Sequence, residues 1–109
     1  MNKMTLKAIK ANKGATLNNN GIAVSYKTGF QVSKRDLYVM PIKQLTKRLI
    51  VATLAVLRDD EYLGIWIDSG RAYVDISERI SNYKHALKVG RDSNQISVWA
   101  WNKGEAITC

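Results

Sequence analysis

Tyr62-Leu63-Gly64-Ile65-Trp66-Ile67-Asp68-Ser69-Gly70-Arg71-Ala72-Tyr73-Val74-Asp75-Ile76 decides the reading of this chain. Two apolar-rich runs flank Asp68-Ser69-Gly70, a tripeptide suited to a tight turn. Period two sends Leu63, Ile65 and Ile67 one way, with Ala72, Val74 and Ile76 across from them. Trp66 and Tyr73 point the other way. The stretch is an antiparallel hairpin with an aliphatic face and an aromatic face.

Upstream, Leu37 to Met40 is a short apolar run closed by Pro41, which suits the first turn of a helix. Apolar positions 42, 45, 49, 52 and 56 then repeat with helical period, and Lys43, Gln44, Lys47 and Arg48 take the opposite side. Beyond Leu49 the pattern is apolar nearly all round, which places that half of the helix in the centre of the core. Downstream, Ser81 or Asn82 caps a second helix running to about Gly90. A last strand, Gln95 to Trp101, is followed by a turn at Asn102-Lys103-Gly104 and a short tail. Residues 37–107 thus read strand, helix, strand, strand, helix, strand. That is the ferredoxin-like βαββαβ order, an α+β fold with two helices on one face of an antiparallel sheet. Phe30 to Val32 is an alternative first strand, and would change the sheet.

Residues 15–32 read as a small β-meander, with a hairpin turn at Asn20-Gly21 and Ile22, Val24 and Tyr26 alternating after it. Residues 1–13 are a basic segment in which Lys3, Lys7 and Lys10 share one face if it is helical; a frayed tail is the other reading. The chain of 109 residues makes a single domain. Its one cysteine, Cys109, permits no internal disulfide and no cysteine metal cluster. Residues 1–13 have no continuous apolar stretch, so no signal peptide is expected. The longest apolar run, Leu49 to Leu57, is far short of the roughly twenty residues a membrane helix needs. A cytoplasmic protein without a membrane partner is the expectation.

Charge is divided unevenly. Residues 1–58 hold eight Lys and three Arg against Asp36, a balance of +10, whereas residues 59–109 carry −2. Clustered cations attract polyanions over a Debye length. The densest group is Lys34, Arg35, Lys43, Lys47 and Arg48, where cations near a helix N-terminus oppose its macrodipole. These five are the candidate contacts to nucleic acid or a nucleoprotein.

Alternation also gathers Trp66, Tyr73, Trp99 and Trp101 on the face opposite the aliphatic one. Either this face is a platform on which bases or a partner's side chains stack, or the meander folds over it and makes a second core layer. Pairing of the face with its own copy, giving a homodimer, is a further option.

No catalytic, cofactor or metal motif is present. Asp68, Asp75 and Glu78 suggest at most a cation site across the hairpin, and turn or ion-pair roles suit them better. His85, the one histidine, has no nucleophile or ligand near it in sequence. The reading is a non-enzymatic binding protein with no cofactor.

The blocks Ala15-Thr16-Leu17, Gly29-Phe30-Gln31-Val32-Ser33, Tyr62-Leu63-Gly64-Ile65-Trp66-Ile67-Asp68 and Asn94-Gln95-Ile96-Ser97-Val98-Trp99-Ala100-Trp101 resemble small proteins of phages and conjugative elements of Gram-positive bacteria. The resemblance covers most of residues 14–107, and its motifs are structural. It implies an accessory protein of the kind that includes anti-CRISPR inhibitors, hence a binder that blocks an RNA-guided nuclease of the host. Many such inhibitors are acidic DNA mimics; this chain, at net +8, departs from them. The implied contact is therefore guide RNA, bound DNA or an acidic surface of the nuclease. No functional residue carries over from the resemblance. Direct binding of single-stranded nucleic acid by the basic patch and aromatic face is the alternative.

Overall fold

The computed structural model describes residues 5–109, so Lys3 lies outside the described residues. Thr5 caps helix α1, Leu6–Ala11, which leads into strand β1, Gly14–Leu17. Strand β2 runs Phe30–Pro41 and a 3-10 turn, Ile42–Gln44, precedes helix α2, Lys47–Leu54. The hairpin follows as β3, Glu61–Asp68, and β4, Arg71–Ile80, then helix α3, Tyr83–Asp92. Strands β5, Ser97–Ala100, and β6, Glu105–Thr108, complete the chain.

The α+β class holds, with one antiparallel sheet and three α-helices among the described residues. The sheet is not a clear ferredoxin-like one. It has six strands in the order β1-β3-β4-β2-β5-β6 and curls into a half-barrel. The expected strand–helix succession is present, but β1 and β6 extend the sheet at both edges.

Ser69 and Gly70 take φ of 51° and 77°, the left-handed pair that lets a two-residue turn follow the twist of β3 and β4. Their register places Ile65 on Val74, Trp66 on Tyr73 and Gly64 on Asp75. The aliphatic face is buried under the helices. Ile9, Leu45 and Ile50 pack there with Leu63, Ile65, Ile67 and Val74, while Val32, Ile80, Ala86 and Val98 form a second cluster under α3.

Several expectations fail for local reasons. The meander does not form: β1 pairs with β3, and residues 22–26 make only an isolated bridge from Ala23 to Leu17. The Asn18 carboxamide oxygen accepts from the backbone N–H groups of Asn20 and Ile22, which folds the segment into an Asx-type loop. The first core strand is not Leu37–Met40 but all of Phe30–Pro41, with register shifts at Lys34 and Leu37 that carry it through Ser33-Lys34-Arg35-Asp36. Helix α2 begins late because Leu45 is extended and Thr46 Oγ1 accepts from Leu49 N. Its far end is not the core centre: Val51 and Val56 are exposed. Gln95 and Ile96, expected in the last strand, precede β5, where Ile96 is exposed, and the expected tail is the edge strand β6.

Candidate functional site

The face of the sheet opposite the helices is an open groove of about 880 Å³. Its floor is a ladder of cross-strand rows, each about 7 Å from the next because same-face residues are two apart. The first row is Gly14, Trp66, Tyr73 and Val39. The second is Thr16, Gly64, Asp75 and Asp36. The third is Tyr62, Ser77 and Ser33, and the fourth Arg79, Gln31, Trp99 and Ala106. Two aromatic rows thus bracket a carboxylate row and a hydroxyl row.

The aromatic residues expected on one face all line this groove. Trp66 is 58% exposed and Tyr73 37%, so that end of the face is not covered. Trp99 and Trp101 are half-buried and meet edge to face at 6.3 Å. Trp101 Nε1 donates to Gln31 Oε1 at 3.1 Å, and Gln31 Nε2 donates to Ser77 Oγ at 2.9 Å. The 18–29 loop reaches this end through Tyr26, whose ring lies 5.6 Å from that of Trp101 and 4.4 Å from the Arg79 guanidinium. Tyr26 and Tyr62 share a 2.6 Å hydroxyl–hydroxyl hydrogen bond; burial, then this bond, pushes the Tyr62 phenol up to about 12. The loop therefore covers one end of the groove and leaves the other open.

The carboxylate row carries the strongest electrostatic feature. Asp36 and Asp75 are direct cross-strand partners, an unfavourable placement for like charges. Burial, then the Asp36 charge, raises the Asp75 carboxyl to about 6. Among the described residues neither aspartate makes an ion pair; Asp36 has only a long 3.4 Å contact from Gln95 Nε2. In the next row the buried Ser33 hydroxyl has no hydrogen-bond partner among the described residues.

The basic candidates do not join the aromatic ones. None of Lys34, Arg35, Lys43, Lys47 and Arg48 lines the groove. Lys34 lies on the helix side, bridging Glu61 at 2.9 Å and Glu78 at 3.5 Å. Burial lowers its affinity for a proton, but the hydrogen bond to Glu61 and the two carboxylate charges outweigh this and raise its pKa. Glu61 is lowered in turn, first by the backbone N–H of Arg58 and then by Lys34. Arg35 borders a separate hollow of about 330 Å³ with Arg58 and Val56. Lys43, Lys47 and Arg48 are exposed around the start of α2.

Asp75 and Glu78 lie on opposite faces of β4, so the possible cation site with Asp68 does not assemble. Among the described residues no three His, Cys, Asp or Glu come together to hold a metal ion. His85 is exposed on α3. No helix of the described residues is long and apolar enough to cross a membrane. The aspartate pair was missed in the sequence. Strand parity puts Asp75 on the face of Tyr73, a consequence the sequence reading did not draw, and Asp36 joins it only once β2 is known to be long.

The chain matches no protein-family model, no curated protein and no solved structure.

Proposed function

We propose that this is a non-enzymatic accessory protein that binds and inhibits a host defence nucleoprotein, an RNA-guided CRISPR nuclease being the target class. The observation that carries the reading is the separation of the aromatic groove from the basic cluster Lys34, Arg35, Lys43, Lys47 and Arg48. Platforms for bare single strands combine stacking rings with a positively charged groove. Here the rings surround Asp36 and Asp75; of the cations, Lys13 lines the groove and Arg79, on the same sheet face, is held by Thr28. Lys43, Lys47 and Arg48 lie on another surface. A partner offering both polypeptide and polyanion suits both surfaces at once. The resemblance to phage and mobile-element proteins supplies the biological setting, and such a target puts the protein in the cytoplasm of a bacterial host.

The alternative, direct binding of single strands, is favoured by the openness of Trp66 and Tyr73. One experiment separates the two. RNA-guided nucleases from Gram-positive hosts are presented as guide-loaded complex, apo nuclease and bare guide, with cleavage and binding followed at low and high salt. The expected result is inhibition with binding to the complex well above that of bare guide. Equal binding to bare guide with a steep salt dependence replaces this reading with the direct one. No binding in any arm overturns both, and light scattering at two concentrations then tests the homodimer.

A further inference from the structure

We infer that the groove receives an arginine side chain of a protein partner, its guanidinium bridging Asp36 and Asp75 beside Trp66 and Tyr73. The inference rests on the binding-protein reading above and names what the partner must present. Two aspartates are neighbours in the second row, their Cβ atoms about 5 Å apart as in direct cross-strand partners, with the Asp75 carboxylate turned over Gly64. Nothing within the described residues neutralises them. Lys34 is on the other face and bound to Glu61 and Glu78, and Arg79 is held by Thr28 and Tyr26 two rows away. Lys13 sits at the rim beside the first row, one position before Gly14, which pairs with Trp66.

The chemistry of the surroundings selects arginine. A guanidinium offers five donors in a fixed plane, enough to bond both carboxylates and still stack on a ring. Lysine lacks the plane, and a phosphate is repelled. In the neighbouring row the buried Ser33 hydroxyl has no hydrogen-bond partner among the described residues. Gly64 has no side chain, so the Asp75 carboxylate lies over it on the floor of the groove, and the first-row rings provide the stacking wall. The same sheet face already holds one arginine against a ring, Arg79 over Tyr26, without a carboxylate.

The test is NMR titration of the full chain, reading the indole N–H signals of its tryptophans. The probe is a capped pentapeptide with one central arginine, with matched peptides carrying lysine or citrulline. The Trp66 and Trp99 signals are expected to shift with the arginine peptide, less with lysine and not with citrulline. Asp75→Asn should weaken the arginine peptide about tenfold, the usual scale of one charge-assisted bond. Asp36→Asn, at an exposed position, should do the same and serves if the first variant folds poorly. Affinity should also fall between pH 7 and pH 5, because Asp75 gains a proton there. Equal response to citrulline, or affinity unchanged in both variants, overturns the inference. So does a single-stranded oligonucleotide that shifts these signals at lower concentration than the peptide. The nucleoprotein assay keeps the two readings apart. Inhibition unaffected by both variants removes the arginine site and leaves the inhibitor, whereas loss of inhibition in the wild type leaves the peptide titration to judge the groove.

Discussion

The Asp75 carboxylate lies over Gly64 on the neighbouring strand, in the space that a Cβ at position 64 would occupy. The glycine is what allows a charged side chain to lie flat on the floor of the sheet. Gly64→Ala is therefore expected to lower stability by about 1–3 kcal/mol, the usual cost of overpacking. Combining it with Asp75→Gly should recover most of that loss, because the collision disappears. Urea unfolding of the two single variants and the double variant measures the coupling. Additive effects would show that the alanine acts through something other than Asp75.

Asp75 should also make the protein less stable at neutral pH than in mild acid. Its carboxyl is raised from 3.8 to about 6, so between those values the folded state holds a proton that the unfolded chain releases. The contribution of this group to stability is full below about pH 4 and is lost as the pH rises through about 6. A shift of that size corresponds to roughly 3 kcal/mol at pH 7. Asp75→Asn should stabilise the fold by an amount of that order at pH 7 and by nearly nothing at pH 4. Thermal melts of both proteins across that range test the sign directly.

The cations divide into structural and free ones. Glu61 and Glu78 are direct cross-strand partners, and Lys34 bridges them. Lys34→Met leaves two like charges facing each other and should cost about 1 kcal/mol. The cost should shrink as the pH falls below the carboxylate range, since the lowered Glu61 then takes up its proton. Lys43→Glu and Lys47→Glu remove exposed charges and should stay within about 0.5 kcal/mol of wild type. The same two reversals should weaken nucleoprotein binding. If they destabilise the fold and leave binding intact, the basic surface has no part in recognition.

The division into an aliphatic and an aromatic face was legible because strand parity needs no knowledge of strand order. Trp66 and Tyr73 on the hairpin, and Trp99 on β5, fall on one face by counting alone. The length of β2 was hidden because its bulges at Lys34 and Leu37 break the alternation on which strand reading depends. Asp36 was hidden with it. Lys34 looked like a free cation because its partners come from β3 and β4, at least 27 residues away. The end of α2 misled for a different reason. Its apolar run fits a buried helix, yet Val51 faces outward on the side of this short helix away from the core, and Val56 lies in the turn beyond the helix end and is exposed.

The tryptophans should separate by role. Trp101 is tied to Gln31 by its indole N–H and packed against Tyr26 and Trp99. Trp101→Ala removes that packing and leaves Gln31 short of a donor, and should cost about 2–4 kcal/mol. Trp66 is mostly open to solvent, so Trp66→Ala should alter stability by less than about 1 kcal/mol. Its loss should instead remove most of the red-shifted tryptophan emission and weaken partner binding, as loss of an aromatic anchor does. Equilibrium unfolding and emission spectra of the two variants give both readouts together. A Trp66→Ala protein that unfolds easily would mean that the ring is part of the core. One that folds normally and still inhibits would mean that recognition takes place outside the groove.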